Sequence, residues 1–310
     1  MTHPSITQLS DHVYFIEAPM NGRFPFCNSF VFTGHENILI DAGIGEDLMK
    51  DLDDIFSIDT LVISHSHPDH MRSWSTFENK RFLLPQETPD SVMDLEQLGI
   101  RYTGSVETGR HWVKTIGIPL GIKPFRQPDG RFKNGDILDT GGARIQAIHA
   151  PGHLDDHYCF FDHVSGTLIT TDIDFTSFGP WYGNPEGRIK PFKDSIRKVM
   201  TFPYKTVCSS HKPPMDGDST DRFMAFLACF DRQKEDVFNA LGSGKTLEEL
   251  AISSPFYSNK FMELKIQNAF ETQMSRENLG ILVDEGRVVL EDGRYVPVIE
   301  KSALVGNWTR

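Results

Sequence analysis

The chain has 310 residues, 39% of them hydrophobic, with 31 Lys plus Arg against 43 Asp plus Glu and a formal net charge of -12. A chain of this size buries a substantial core, as one large domain or as one domain with an appendage, and its acidity opposes a phosphate backbone, which disfavours a nucleic-acid partner. No apolar run approaches the roughly 20 residues that cross a bilayer, and the polar start Met1 to Asp11 lacks the basic and apolar regions of a secretory signal, so a cytoplasmic protein with no membrane association is expected.

Strand-like runs lie at Val13 to Ala18, Asn28 to Thr33 and Asn37 to Asp41; a helix follows near Glu46 to Ile55, and a further strand at Thr60 to Ser64. Residues 71–131 turn helical and irregular, with scattered Pro and Gly, and read as a cap or lid inserted in the first domain. Strand patterns return at Ala143 to Ala150, Tyr158 to Phe161 and Gly166 to Thr171; a helix near Lys193 to Thr201 leads to a strand at Thr206 to Ser210. Two similar half-units of this kind predict a sandwich. Beyond about Pro214 the pattern becomes helical: Thr246 and Glu249 have the spacing of a capping box, and Val288 to Leu290 and Tyr295 to Val298 flank Asp292-Gly293, a pair suited to a tight hairpin. Domains are therefore expected at 1–214 and 215–310, the second with the winged-helix-like order of three helices and a hairpin. Cys27, Cys159, Cys208 and Cys229 are far apart and show no CxxC pairing, so neither a disulfide framework nor a thiolate zinc site is expected.

The segment that carries chemistry runs from Leu61 to His70. An apolar strand enters a turn bearing His65, His67, Asp69 and His70, good metal ligands packed within six residues. Residues two apart project to one side of an extended chain, so His65 and His67 can share an ion, while the turn at Pro68 redirects Asp69 and His70 towards a second. Three later segments share the form of an apolar run ending in a ligand: Ile148 to His153, Leu168 to Asp172, and Val207 to His211. Seven candidate ligands result. A surface loop of solvated histidines would explain an isolated pair, but not four such strand ends.

In this order, HxHxDH, then PGH, then Asp, then His, the chain resembles the metallo-β-lactamase superfamily over about residues 10 to 214, with a metal motif like that of glyoxalase II. The resemblance implies an α+β fold, the four-layer αββα sandwich, followed by a helical C-terminal appendage. It implies His65, His67 and His153 on one divalent metal ion and Asp69, His70 and His211 on another, with Asp172 bridging. Zinc is the expected metal, with iron or manganese as alternatives. It further implies that Asp41 orients a ligand histidine and that His157 stands behind the ligands; Asp174, two residues beyond Asp172, shares its side of an extended chain and is expected behind the ligands as well. For the chemistry it implies a dinuclear hydrolase in which metal-bound hydroxide attacks an ester, thioester or lactone, Asp69 orienting the nucleophile and moving its proton, with Asp172 as the second catalytic carboxylate. The aromatic loop after Asp172, with Phe178, Trp181 and Tyr182, is expected to line the pocket for a small-molecule substrate, as are His111 and Trp112 of the cap. The glutathione-binding pattern of hydroxyacylglutathione hydrolases is not found, and the seven residues Pro151 to His157 are similar to those of a quinolone-signalling thioesterase. Two other activities in the superfamily compete: phosphodiester hydrolysis, which needs a cation such as Arg72, Arg188 or Lys212 near the pocket, and mononuclear iron persulfide dioxygenation. A homodimer is compatible with all of these.

Overall fold

The computed structural model describes residues 3–258 and 263–298. The chain divides into two compact units, Met1–Phe230 and Asp231–Arg310. Among the described residues no helix is long and apolar enough to cross a membrane.

The first unit holds two sheets. One has seven strands in sequence order, β1 (Ile6–Ser10), β2 (Val13–Ile16), β3 (Ser29–Phe32), β4 (Ile38–Ile40), β5 (Thr60–Val62), β6 (Arg81–Pro85) and β7 (Gly130–Phe132). The other has six, β8 (Ile137–Asp139), β9 (Arg144–His149), β10 (Tyr158–Asp162), β11 (Thr167–Ile169), β12 (Thr206–Ser209) and β13 (Lys212–Asp216), ordered from β13 to β8. One cluster joins them: Phe30, Phe32, Ile38, Ile40, Val62 and Leu83 of the first sheet bury against Ile145, Ala147, Tyr158, Phe160 and Ile169 of the second. Each Val, Leu, Ile or Phe side chain among them contributes about 1.5–3 kcal/mol when fully buried. The strands β3, β4 and β5 are buried at every position, as strands covered on both faces must be. Helix α1 (Glu46–Phe56) buries Met49 and Leu52, and the later helix Ile189–Val199 buries Phe192, Ile196 and Val199. The fold is an α+β sandwich of helix, sheet, sheet and helix.

Strand direction places the site. β4 and β5 are parallel, so the chain leaves both at one end. β11 and β12 are parallel, and β9, antiparallel to β10 as β11 is, runs the same way as β11. The segments that follow β9, β11 and β12 therefore emerge on one edge of the second sheet, and these carry His153, Asp172 and His211.

Two expectations need correction. Residues 71–131 are not a continuous cap, because Arg81–Pro85 and Gly130–Phe132 are strands of the first sheet, with Phe82, Leu83 and Leu84 buried. The helical insertion is the part between them, with a one-turn helix α2 (Pro68–Met71) before it and the pair α3 (Leu95–Thr103) and α4 (Val106–Trp112) within it. The first unit also continues past residue 214, since Phe223, Phe226 and Phe230 are buried on aromatic partners Phe175, Tyr182 and Phe192. With α5 (Ile189–Val199) already placed, the boundary falls inside α6 (Thr220–Ala240).

In the second unit, α7 (Leu247–Ile252) starts at the capping box of Thr246 and Glu249, both halves of which are formed. After α8 (Leu264–Asp284) comes the hairpin β14 (Val288–Glu291) and β15 (Arg294–Pro297). Its turn uses Asp292 and Gly293 at φ 47° and 77°, the left-handed pair that matches the twist of a two-residue hairpin. Val237, Leu241, Leu250, Leu279, Leu282 and Val288 form this unit's core. Residues 299–310, within the expected second domain, lie outside the described residues.

Candidate metal centre

The strand β5 ends in a turn whose first helical residue is Pro68, a position where a missing N–H costs nothing. That turn separates the ligands into two directions. His65 and His67 point to one group with His153 and Asp172; Asp69 and His70 point to another with His211, and within each group the candidate ligand atoms lie within 4.8 Å of one another. In the first, His67 Nδ1 is 3.0 Å from His65 Nε2 and 2.8 Å from His153 Nε2, and Asp172 Oδ2 is 3.1 Å from His153 Nε2. In the second, His211 Nε2 is 3.5 Å from Asp69 Oδ2 and His70 Nε2 is 4.0 Å from it. Asp172 belongs to both, with Oδ1 3.0 Å from His70 Nε2 and Oδ2 3.6 Å from His211 Nε2.

The other ring nitrogens decide what the converging ones can do. His65 Nδ1 contacts Ser64 Oγ (3.0 Å), His67 Nε2 contacts Asn184 Oδ1 (3.0 Å), His153 Nδ1 contacts the Trp181 carbonyl (2.8 Å), His70 Nδ1 contacts Asp41 Oδ2 (2.8 Å) and His211 Nδ1 contacts the Gly22 carbonyl (2.5 Å). Four of those partners are carbonyl or carboxylate oxygens, which only accept, and the hydroxyl of Ser64 is itself donated to Asp41. A neutral imidazole that donates outward has a lone pair facing inward. With all five rings neutral, five lone pairs and two carboxylates meet with no proton between them, and His70 Nε2 and Asp172 Oδ1 are buried without a hydrogen-bond partner despite their proximity. Such a donor set fits divalent cations.

The electrostatics divide the histidines. Burial, reinforced by the neighbouring histidines, holds His65 and His67 well below the ordinary histidine range. Burial opposes the charged form of His70 and His211 too, but there the carboxylates outweigh it: Asp172, Asp41 and Asp69 raise His70 well above that range, and Asp172, Asp69 and Asp174 push His211 up to about 10, so this second group draws positive charge, which a divalent cation supplies in place of protons. Burial alone would raise Asp172, yet His70, His211 and His153 hold its carboxyl well below the usual carboxylate range. Cys27 touches this region, donating its thiol to the Asp69 carbonyl (3.5 Å), but burial pushes it up to about 12, so it stays a thiol.

Asp41 meets one of the candidate ligand histidines: Oδ1 accepts the Ser64 N–H (2.7 Å), Oδ2 accepts the Ser64 hydroxyl (2.8 Å), and the same oxygen holds His70. Its φ of 66°, and 46° at Thr171 beside Asp172, put left-handed backbone at two of the strand ends, strain of order 1–3 kcal/mol each that the surrounding packing must offset. His157 has both nitrogens engaged, Nδ1 with the Ala150 carbonyl and Nε2 with Thr171 Oγ1 and the Asp172 N–H, so it supports Asp172 and faces no cation. Asp174 accepts from the N–H and hydroxyl of Thr176, and burial pushes it up to about 6.

The expected pocket residues separate. Trp181 lies against His67 (5.3 Å between ring centres) and His153 (5.7 Å). Tyr182 points the other way and is fully buried, stacked on Phe230; adjacent residues of an extended segment face opposite sides, and only one can reach the centre. Trp112 is likewise fully buried, against Tyr102 and Gly117, and is core of the α3–α4 pair. His111 is half-buried on α4 and joins neither ligand group; Phe178 is half-buried in the turn after Asp174. Sequence reasoning missed Ser64, Asn184 and Tyr102, whose ring meets His67 at 5.5 Å and stacks on Trp181. Ser64 had a signal in its place next to His65. The other two had none.

The family model described as the metallo-beta-lactamase superfamily matches residues 22–211. The chain belongs to that superfamily. Among superfamily members of known structure, a metallo-beta-lactamase family protein from Thermus thermophilus superposes with a TM-score of 0.73 at 20% identity, covering 94% of this chain and all of that one; this likeness is one of fold. An atrochrysone carboxyl ACP thioesterase of Cryptosporiopsis sp. is 26% identical over 176 residues, 54% of this chain and 45% of that protein, so the match spans less than half of the relative. A hydroxyacylglutathione hydrolase of Haemophilus influenzae is 24% identical over 173 residues, 53% of this chain and 72% of that enzyme.

Proposed function

We propose that this superfamily member is a hydrolase that holds two divalent metal ions, zinc by first expectation, and cleaves an ester, thioester or lactone of a small molecule. The observation that carries the reading is the set of five histidines with every outward nitrogen committed, their inward lone pairs meeting around one shared carboxylate, Asp172. The names of the ACP thioesterase and hydroxyacylglutathione hydrolase relatives support the acyl class.

Divalent cations bound there supply Lewis acidity, which acidifies a water and polarises a carbonyl oxygen. The chain's residues do the rest. His65, His67 and His153 would hold one ion and Asp69, His70 and His211 the other, with Asp172 between. Asp69, whose carboxyl burial raises, would face the cation through Oδ2, the oxygen towards His211, and take the proton lost by the attacking water on its other carboxylate oxygen. Trp181 and Tyr102 wall the histidines of the first group with stacked rings, an apolar surface suited to an acyl chain or ring.

Phosphodiester hydrolysis would need a cation at this wall. The Arg72 guanidinium instead lies over Phe26 (4.5 Å), on a cavity of about 530 Å³ whose lining contains none of the seven ligands. Arg188 donates to the carbonyls of Pro185 and Gly187, and Lys212 is exposed on β13. The test is metal analysis of the purified chain followed by a panel of thioesters, lactones and phosphodiesters with and without chelator. Chelator-sensitive acyl hydrolysis with two metals per chain is expected. Turnover of phosphodiesters alone, or one iron per chain with oxygen consumption on a persulfide, would overturn the proposal.

A further inference from the structure

Four of the five histidines face the centre through Nε2; His67 faces it through Nδ1. Its outward nitrogen is therefore Nε2, and the acceptor there is Asn184 Oδ1 at 3.0 Å, a contact between residues 117 apart in the chain. The remaining rings are fixed by nearer or more robust partners. His65 uses the hydroxyl of the preceding residue, His153 and His211 use backbone carbonyls, and His70 uses the Asp41 carboxylate. Asn184 is 1% exposed, so water is poorly placed to replace its oxygen if it is lost.

The segment around Asn184 is built to hold that oxygen in place. Trp181 accepts from His153 through its carbonyl, the Gly187 N–H donates to the Asn184 carbonyl (2.9 Å), and the Arg188 N–H donates to the Gly152 carbonyl (2.8 Å). A Cβ on Gly187 would meet the Tyr182 carbonyl oxygen at 2.5 Å, so the turn closes only with glycine. From α3, Arg101 reaches Glu186 (3.1 Å), Asp156 (3.4 Å) and Asp155, and donates through Nε to Ser66 Oγ (3.4 Å), between the two ligand histidines of the metal loop. One buried guanidinium thus ties the Asn184 turn to the loops that carry His65, His67 and His153.

We propose that Asn184 is a positioning residue of the metal centre: by accepting the Nε2–H of His67 it locks the ring in the tautomer that leaves Nδ1 free for a cation. The proposal rests on the metal-binding reading of the first ligand group. Losing the acceptor lets the proton move to Nδ1, which removes one donor from that group. Partners of this kind are worth about 10- to 100-fold in metal affinity.

The experiment is zinc titration of the metal-stripped full chain against a chromophoric chelator, for the parent, Asn184→Leu and Asn184→Asp, with melting of each stripped protein to check folding. Leu keeps the volume and removes the acceptor; Asp keeps an acceptor and removes the amide donors. The expected result is a loss of about 10- to 100-fold in one of the two zinc affinities for Asn184→Leu, with Asn184→Asp close to the parent. Asn184→Ala replaces the Leu variant if that one does not fold. Parent-like zinc binding by Asn184→Leu, or equal losses in Leu and Asp variants, would overturn the role of Asn184 and leave the proposed function standing. A parent that binds no zinc or other divalent ion would overturn both.

Discussion

Replacing Asp41 by Asn removes one charge and turns one acceptor oxygen into a donor, at a residue that is fully buried. Asn tolerates the left-handed φ of 66°, so the change tests hydrogen bonding and charge with little backbone effect. Oδ1 can still take the Ser64 N–H. In place of Oδ2, an amide now faces two donors, the Ser64 hydroxyl and His70 Nδ1–H, both 2.8 Å away. A buried donor left without its acceptor costs about 1–3 kcal/mol. His70 escapes that cost by moving its proton to Nε2, which spends the lone pair that faces Asp172 and the second ligand group. The stripped protein should therefore lose only about 1–3 kcal/mol of stability, chiefly from Ser64, whereas affinity for one of two metal ions should fall by about 10- to 100-fold. Chelator competition resolves the two affinities and urea unfolding of the stripped protein gives the stability. Two parent-like affinities in Asp41→Asn would refute the assignment of Asp41 to His70, and an equal fall in both would refute the separation into two groups.

Three further outcomes are expected. Gly152 has φ 128°, and a Cβ there would lie 2.2 Å from the Phe192 nitrogen, so Gly152→Ala should cost about 2–4 kcal/mol or more in urea unfolding; a parent-like midpoint would show that the Pro151-Gly152 turn yields easily. Trp181→Ala should change KM for acyl substrates with little loss of melting temperature, while Tyr182→Ala should lose about 3–5 kcal/mol of stability as a large core truncation; the reverse pattern would restore Tyr182 to the pocket. Glu271 is buried among Ser254 Oγ and the Phe256 and Tyr257 N–H groups, and burial raises its pKa above 4.5. Because the folded value is the higher one, its contribution to stability is complete at acid pH and declines as pH rises through the raised pKa. Glu271→Gln should flatten that decline in pH-dependent unfolding, and an unchanged pH profile would contradict it.

The convergence of the candidate ligands was legible because metal chemistry restricts residue types and because strand ends present them from a rigid base: His65, His67, Asp69, His70, His153, Asp172 and His211 come together in two groups, with Asp172 close to histidines of both. Asp41 and His157 were legible only through the resemblance, since nothing local says that a buried Asp at the end of β4 meets a histidine 29 residues later. Asn184 and Tyr102 lay beyond reach for the same reason, being ordinary residues whose roles come from partners on distant segments. Within the insertion, β6 was hidden because a five-residue apolar strand between irregular stretches has no period to reveal it. The pairing of Trp181 with Tyr182 shows the same limit at one residue's resolution: both are aromatic, and only the packing of Phe230 settles which one turns inward.

Diffraction from crystals of the zinc-loaded chain, measured on both sides of the zinc absorption edge, would show where the ions bind. Two anomalous peaks per chain are expected, one touching His65, His67 and His153 and one touching Asp69, His70 and His211, with Asp172 in contact with both. Zinc found away from these seven side chains, or none at saturating concentration, would contradict the account.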